Sequence, residues 1–352
     1  MTSRAGWLLR LGALVVAFGA VTAWRSRAVG IPVRDPGGQY LAWKILTSLG
    51  VFVVLVVIDS MARTPRPQWS VRSVSATVRD RWTWHRLGLA WAALLCYHLI
   101  YFCYHNLKSW DVLNPPRDAL LSRVDHLLFF GHYPAVLLHD LLGQGVAAWL
   151  LIAVYESFPT LVTVAIVVPV VVVDRVRDGA VMTAALCWAW IFGTASYYAI
   201  PSLGPFHERP QDFAGLPTSM VTRTQATYFA ERQHLLADPT AHDAFAQISA
   251  FASLHVAITT VIVLMAAYFR LRRTTIALAA FLAGTLVATV YLGWHFAVDD
   301  IAGLAIGWIA VVLGRLTINP DRTELRAALT SFSAPLPTTT PAGSDESEPV
   351  RG

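Results

Sequence analysis

Two short segments of the sequence hold the residues best suited to chemistry. Residues 251–257 read FASLHVA and residues 293–303 read GWHFAVDDIAG, and each segment places a histidine at the edge of an apolar stretch. Asp299 follows His295 by four residues, so in a helix the two side chains would share one face and could hydrogen-bond. Such a carboxylate fixes which ring nitrogen is free to attack, as in a catalytic triad. Asp300, one residue later, would point about 100° away from Asp299 around the helix axis.

The stretch between the two histidines predicts that both lie at one membrane face. Residues 256–294 are long enough for one helix across a bilayer and a second helix back. His255 and His295 would therefore return to the same side. Two histidines and a carboxylate at one face, with no cysteine nearby, favour nucleophilic chemistry on a phosphate ester.

The chemistry predicted from these residues is phosphoryl transfer through a covalent intermediate. His295 would attack phosphorus, Asp299 would orient its ring, and His255 would protonate the departing oxygen as a general acid. Ser253 and the free N–H groups of the following helix start would hold phosphate oxygens. We expect no metal and no cofactor, because histidine, serine and basic side chains supply the nucleophile, the acid and the phosphate ligands.

The two segments resemble the second and third signature motifs of the type-2 phosphatidic acid phosphatase superfamily, Pro-Ser-Gly-His and Ser-Arg-x5-His-x3-Asp. The Ser-Leu-His form, with no arginine ahead of the last histidine, is more similar to the branch that contains inositol phosphorylceramide synthases. Three further strings resemble actinobacterial membrane proteins of that branch: YHNLKSW, DALLSRVDHLLFFGHYP and YYAIPSLGPF. The resemblance covers roughly residues 85–316 and implies an enzyme that acts on lipid phosphates.

The sequence departs from the family pattern in two ways. Ala252 stands where the family often has proline, and the first signature, Lys-x6-Arg-Pro, is missing. Phosphoryl transfer needs a cation for charge neutralisation. In place of the missing motif we expect Lys108 and Arg117 to bind phosphate, with Arg123 and Arg223 behind them. Ordinary interfacial positions for Lys108 and Arg117 fit the sequence equally well.

The composition indicates a membrane protein. The 352 residues are 55% hydrophobic and 14% charged, against about 25% charged in soluble domains, and the mean hydropathy is +0.52. The net charge of +5 is dispersed in loops between apolar runs. We therefore expect a membrane and a lipid or polyprenyl phosphate as partners, and no nucleic acid.

Apolar runs predict an all-α polytopic bundle of about eight transmembrane helices, since a crossing needs about 20 residues. The fourth run contains Pro159 and Pro169 and should be kinked, and Glu156 within it should face the bundle interior. The predicted spans lie near residues 7–23, 41–61, 85–104, 145–173, 179–199, 253–270, 275–294 and 299–316.

The spans divide the chain into three parts. Residues 1–84 would form two N-terminal transmembrane helices and a basic loop. Residues 85–316 would form a six-helix catalytic domain. Residues 317–352 are rich in proline, serine, threonine and acidic residues near the C-terminus and should form a disordered cytoplasmic tail.

The distribution of arginine predicts the orientation. Loops 62–86, 174–178 and 270–274 together hold eleven arginines in a short length of chain. The positive-inside rule places these loops and both termini in the cytoplasm. The active site of this multi-pass cell-membrane protein would then be extracytoplasmic.

Two segments on the predicted catalytic side lie outside the spans. Residues 118–133 are amphipathic and should form an interfacial helix that Asp118 caps. The 200–252 loop is unusually long, and loops of that length are commonly functional lids or partly disordered.

Three functions remain open on the sequence alone. The first is a lipid-phosphate phosphatase or phosphotransferase, and the Ser-Leu-His motif favours transfer of a phosphoryl head group such as inositol phosphate. The others are a metal-dependent membrane hydrolase and a non-enzymatic transporter. Chelator treatment separates the first two, because only the metal-dependent enzyme would lose activity.

Overall fold

The computed structural model describes residues 6–320. Within this range the regular structure consists of helices, without strands. The α-helices are α1 (Gly6–Val29), α2 (Ala42–Arg63), α3 (Val71–Arg81), α4 (Trp84–Asp111), α5 (Asp118–Leu128), α6 (Pro134–Leu142), α7 (Val146–Glu156), α8 (Phe158–Val172), α9 (Val176–Ala199), α10 (Pro205–Glu208), α11 (Met220–Ala237), α12 (Leu254–Tyr268), α13 (Arg272–Tyr291) and α14 (Ala297–Ile318).

Seven helical segments in the described range are long and apolar enough to cross a membrane, which confirms the predicted polytopic helical bundle. The remaining predicted span, near residues 253–270, corresponds to α12, which is apolar but has only 15 residues. The seven longer segments are Gly6–Val29, Pro36–Arg63, Trp84–Asp111, Val146–Val172, Val176–Ala199, Arg272–Tyr291 and Ala297–Ile318.

The fourth span is broken, as its prolines predict. α7 ends at Glu156 and α8 begins at Phe158, so the break falls at Ser157. Pro159 occupies the first turn of α8, where its missing N–H costs no helical hydrogen bond. The break leaves Glu156 and Phe158 beside the cavity described below.

Glycines on α14 allow this helix to approach α12 closely. A Cβ atom at Gly303 would lie 2.5 Å from the Ser253 carbonyl oxygen, and one at Gly307 would lie 2.6 Å from that of Ala257. Small residues four apart let two membrane helices meet at backbone distance. The contact holds the start of α12, which bears one histidine, against the start of α14, which follows the other.

One end of the bundle, here called the arginine end, is held together by arginines. Three side chains from the chain between α2 and α4 donate to the last carbonyls of α8: Arg63, Arg81 and Arg86. Helix C-termini leave such carbonyls unpaired. Arg81 also pairs with Asp174 at 3.0 Å, and Arg10 donates to the Ile318 carbonyl at 2.8 Å. The ends of α1, α8 and α14 therefore meet here.

The opposite end, the histidine end, is covered by α5, α6, α10 and α11. The sequence predicted that Asp118 caps α5, and this prediction is wrong. The Asp118 carboxylate instead accepts backbone N–H groups of Leu203 and Gly204 at 2.8–3.1 Å. It therefore ties α5 to the chain after α9. The long loop contains the 18-residue helix α11. The predicted tail, 317–352, lies outside the described residues apart from its first four positions.

Candidate active site

A cavity of about 300 Å³ at the histidine end brings together His255, His295 and Lys108. Aromatic side chains form much of its wall. These are Tyr101, Tyr104, Tyr155, Phe158, Trp190, Tyr197, Tyr228 and Trp294.

His255 reaches the cavity from the first turn of α12. Ser253 precedes the helix, and its Oγ accepts the N–H of Val256 at 3.5 Å. The imidazole is stacked on Tyr155, with ring centroids 4.4 Å apart, and lies 4.2 Å from the ring of Phe158. Two aromatic rings thus fix the orientation of the His255 ring.

His295 reaches the cavity from a turn and not from a helix. Gly293 has a φ of 77°, which favours glycine, and the N–H groups of Trp294 and His295 both donate to the Thr289 carbonyl. The His295 side chain is buried, and its ring centroid lies 6.0 Å from that of His255. Both rings therefore line the same cavity.

Asp299 lies beside His295, although the two residues do not share a helix. Its Oδ2 is 3.4 Å from His295 Nδ1 and accepts the N–H of Phe296 at 3.0 Å. The expected hydrogen bond between the ring and the carboxylate is not formed, since His295 Nδ1 has no hydrogen-bond partner. The physical reason is that α14 begins only at Ala297, so the i, i+4 alignment does not apply.

Asp300 connects three segments around the site. Its Oδ2 accepts the Thr289 hydroxyl at 2.8 Å, and its carboxylate lies beside Ser253. Thr289 belongs to α13 and Ser253 precedes α12. Asp300 is therefore a positioning residue, a role that its angular offset from His295 did not indicate.

His295 is held in its neutral form. Burial lowers the pKa of His295 to about 4, against the negative charge of Asp300, which favours protonation. At neutral pH the ring therefore keeps a lone pair available for attack.

Lys108 is the only lysine or arginine that lines the cavity within residues 6–320. Its Nζ lies 6.0 Å from the ring centroid of Tyr104 and 5.7 Å from that of Tyr197. The tyrosine rings hold the ammonium by cation–π attraction while leaving its hydrogen-bond donors free for an anion.

The three arginines of the predicted phosphate site do not line the cavity. Arg117, Arg123 and Arg223 are exposed. Arg123 Nε donates to the Ala119 carbonyl at 3.3 Å, and Arg223 Nε donates to the Ser219 carbonyl at 3.3 Å. Both side chains therefore fold back along their own helices, and their predicted direct contact with phosphate is corrected.

Some site residues were missed although the sequence carries a signal for them. Tyr101, Tyr104, His105 and Lys108 follow one another at i, i+3, i+4 and i+7 on α4, which is the spacing of a single helical face. His105 hydrogen-bonds to Gln247 of the long loop. A polar face on an otherwise apolar span could have identified this wall of the cavity.

Asp125 on α5 is a second missed residue. Its buried carboxylate accepts the N–H groups of Ala297 at 2.7 Å and Val298 at 3.0 Å, where the start of α14 favours negative charge. Burial raises the pKa of Asp125, and the two backbone hydrogen bonds oppose that shift. Asp118 lies seven residues earlier, and the two buried acids hold the backbone on either side of the cavity.

Among residues 6–320 there is no group of three or more histidine, cysteine, aspartate or glutamate side chains that could hold a metal ion.

Comparison with protein-family models matches residues 119–313 to the PAP2 superfamily. The matched region contains His255, His295 and Asp299 but begins after Lys108 and after the first four helices. Searches among curated proteins and among solved structures gave no match.

Proposed function

The chain belongs to the PAP2 superfamily, and from that premise we propose that it removes or transfers the phosphoryl group of a lipid phosphate through a phosphohistidine on His295. The superfamily and the membrane-spanning helices indicate a membrane enzyme of the phosphatase type. The observation that carries the finer proposal is the approach of His255, His295 and Lys108 around one cavity.

In the first step the neutral His295 ring attacks phosphorus and displaces the lipid oxygen. His255 gives a proton to that oxygen, so the lipid leaves as an alcohol. Asp299, 3.4 Å from His295 Nδ1, stabilises the positive charge that develops on the ring.

In the second step water or an alcohol attacks the phosphohistidine. His255, now neutral, takes the proton of the attacking hydroxyl, and His295 leaves as a neutral ring. The products are phosphate when water attacks and a new phosphate ester when an alcohol attacks. The Ser-Leu-His motif supports transfer to an alcohol, with a phosphoryl head group such as inositol phosphate as the group transferred.

Two positive elements hold the phosphate. Lys108 provides the cation, and the unpaired N–H groups at the start of α12 provide donors behind His255. Catalysis of this kind depends mainly on positioning and charge neutralisation.

We further propose that the histidine end faces away from the cytoplasm. The eleven arginines of loops 62–86, 174–178 and 270–274 support this orientation under the positive-inside rule.

The test combines turnover with detection of the intermediate. Purified protein is incubated with a panel of lipid phosphates and phosphodiesters, and mass spectrometry follows free phosphate and new lipid esters. With a radiolabelled phosphate monoester, wild-type protein should form an acid-labile, alkali-stable phosphoenzyme. His295→Ala should form none, while His132→Ala, at an exposed position, should match wild type.

His255→Ala should abolish turnover without preventing insertion into the membrane. Activity should persist in EDTA. Near-normal activity of His295→Ala would contradict the covalent mechanism, and loss of wild-type activity in EDTA would favour the metal-dependent alternative.

A further inference from the structure

A second, smaller cavity adjoins the candidate active site. It has a volume of about 80 Å³ and receives Lys44 and Ser48 from α2 and His98 from α4. The two cavities share four wall residues, which are Tyr101, Phe158, Pro159 and Trp190. The two cavities are therefore adjacent and lie against the same four side chains.

The second cavity contains polar groups without partners. Ser48 is 1% exposed and His98 is 2% exposed, yet the Ser48 hydroxyl and both His98 ring nitrogens make no hydrogen bond. Lys44 forms no ion pair with any residue in the described part of the chain. Buried polar groups are normally paired, and a charged side chain within a span usually marks a functional site.

The position of these groups relative to Lys108 gives the depth of the second cavity below the phosphate site. Lys44 Nζ lies 6.0 Å from the Tyr101 ring, and Lys108 Nζ lies 6.0 Å from the Tyr104 ring. On α4 the second cavity is lined by Tyr97, His98 and Tyr101, and each of these lies seven residues, about 10 Å along the helix, before a residue that lines the first cavity, namely Tyr104, His105 or Lys108. The interfacial layer of one leaflet is about 5–8 Å thick. The second cavity therefore lies about one such layer deeper than the phosphate site.

We propose that this cavity is a subsite for the acyl-ester carbonyl of a lipid whose phosphate lies between His255 and His295. The inference rests on the function proposed above. Lys44 and Ser48 donate to the carbonyl oxygen, and neutral His98 can donate from one ring nitrogen. Such donors fit an oxygen that only accepts.

The remaining walls argue against a second anion in this place. Val162 and Ile166 of α8 contribute apolar surface, and transferring another phosphate beside them would remove its hydration. A neutral carbonyl avoids that cost. The three polar donors, Lys44, Ser48 and His98, precede residue 119 and lie outside the region that matches the superfamily, whereas the walls from α8 and α9 lie inside it.

The consequence is selectivity for acyl-ester lipid phosphates over polyprenyl and ether-linked phosphates. The latter two have no carbonyl at this depth, so they leave the donors unpaired. A site with unpaired buried donors discriminates against the analogue that cannot satisfy them.

The experiment compares two single-chain glycerol phosphates of equal chain length, one ester-linked and one ether-linked, in the same detergent micelles. For wild-type protein we expect kcat/KM to be about tenfold or more higher for the ester, mainly through KM, as expected for a hydrogen bond to a charged donor. Ser48→Ala and Lys44→Met should each bring the ester-to-ether ratio towards one. Thr47→Val removes a neighbouring hydroxyl on the exposed side of α2 and should keep the wild-type ratio.

Each outcome decides the proposal. Equal kcat/KM for ester and ether in wild type would overturn the subsite while leaving the phosphatase function intact. A high ratio that survives both substitutions would also overturn it, because the preference would then arise elsewhere. Cleavage of a polyprenyl phosphate as fast as the ester would have the same effect. Absence of both phosphate release and new phosphate esters with every substrate would instead overturn the proposed function.

Discussion

In the proposed site, we expect Lys108 to neutralise more of the phosphate charge than any other single residue. A phosphate group brings one to two negative charges, and a helix start offsets only about half a charge. Lys108 is the only cationic side chain on the cavity wall within residues 6–320. Replacement of this residue should therefore leave the phosphate poorly compensated.

We expect Lys108→Met to lower kcat/KM for a lipid phosphate by about ten- to a hundredfold, since a charged hydrogen bond contributes about 1.5–3 kcal/mol. Arg117→Ala removes an exposed cation that does not reach the cavity and should change kcat/KM by less than about twofold. Steady-state phosphate release measures both. Equal losses of kcat/KM in the two variants would indicate that Arg117 also binds the phosphate.

The depressed pKa of His295 predicts how stability depends on pH. The ordinary histidine pKa is 6.5, and the folded value is about 4. Between these values the unfolded chain binds a proton that the folded site does not, so stability falls as pH falls. The thermal unfolding midpoint in detergent should therefore decrease more steeply from pH 7 to 4.5 in wild type than in His295→Gln. Parallel curves for the two proteins would contradict a buried, neutral His295.

The sequence predicted the positions of the candidate catalytic residues better than their surroundings. The motifs identified His255 and His295, which line one cavity, and Asp299, whose carboxylate lies 3.4 Å from His295 Nδ1 without the predicted hydrogen bond. The direction of Arg123 was not predictable in this way. It depends on which face of α5 meets the bundle, and Asp118 and Asp125 determine that face through backbone groups far away in sequence.

At the level of elements, the short helix α5 has a larger role than its length indicates. It presents two buried carboxylates on one side, and Asp125 holds the first N–H groups of α14. His295 and Asp299 lie on either side of that helix start. The position of His295 relative to Asp299 therefore depends on a helix outside the membrane-spanning segments.

We expect Asp125→Asn to destabilise the protein by about 1–3 kcal/mol, because an amide oxygen accepts while the amide N–H₂ faces a second donor. Thermal unfolding should show a lower midpoint, and kcat should fall as His295 loses its position. Asp140→Asn is the matched control, since Asp140 is exposed on α6. An Asp125→Asn protein with the stability and kcat of this control would show that α14 needs no such anchor.

Hydropathy predicted the spans but not all of their ends. α12 begins at Leu254 and ends at Tyr268, close to the predicted 253–270. α13 ends at Tyr291, three residues before the predicted end, because the turn at Gly293 redirects the chain. A glycine conformation and a shared carbonyl at Thr289 produce this turn, and neither changes the local hydropathy.

At the level of the whole molecule, the N-terminal helix α2 lines the second cavity, whereas the candidate catalytic residues lie in the second half of the chain. α1 lies against α4 and α14, and α2 lies against α8. The sequence predicted a bundle of about eight spans, of which seven are long enough to cross a membrane in the described residues, and it separated the basic loops from the histidines. It did not predict which helices are neighbours, because lateral order in a bundle depends on contacts between distant segments. The second cavity, between α2, α4, α8 and α9, and the first cavity, which α7, α11 and α12 also line, therefore emerge only from the structure.

The orientation in the membrane gives the final prediction. Arg79 on α3 lies at the arginine end, and Gln211, next to α10, lies at the histidine end; both are exposed. The three native cysteines, Cys96, Cys103 and Cys187, lie within spans. Cysteines introduced as Arg79→Cys and Gln211→Cys should therefore be the main targets of a membrane-impermeant maleimide.

In intact cells we expect labelling of Gln211→Cys alone, and labelling of Arg79→Cys only after the membrane is permeabilised. The physical reason is that moving the arginine-rich loops across the membrane opposes the positive-inside bias. The wild-type protein, treated with the same reagent, corrects for residual reaction of the native cysteines. Labelling of Arg79→Cys but not Gln211→Cys in intact cells would show the opposite orientation, with the cavity at the cytoplasmic face. The substrate would then have to come from the inner leaflet, while the geometry of His255, His295 and Lys108 would be unaffected.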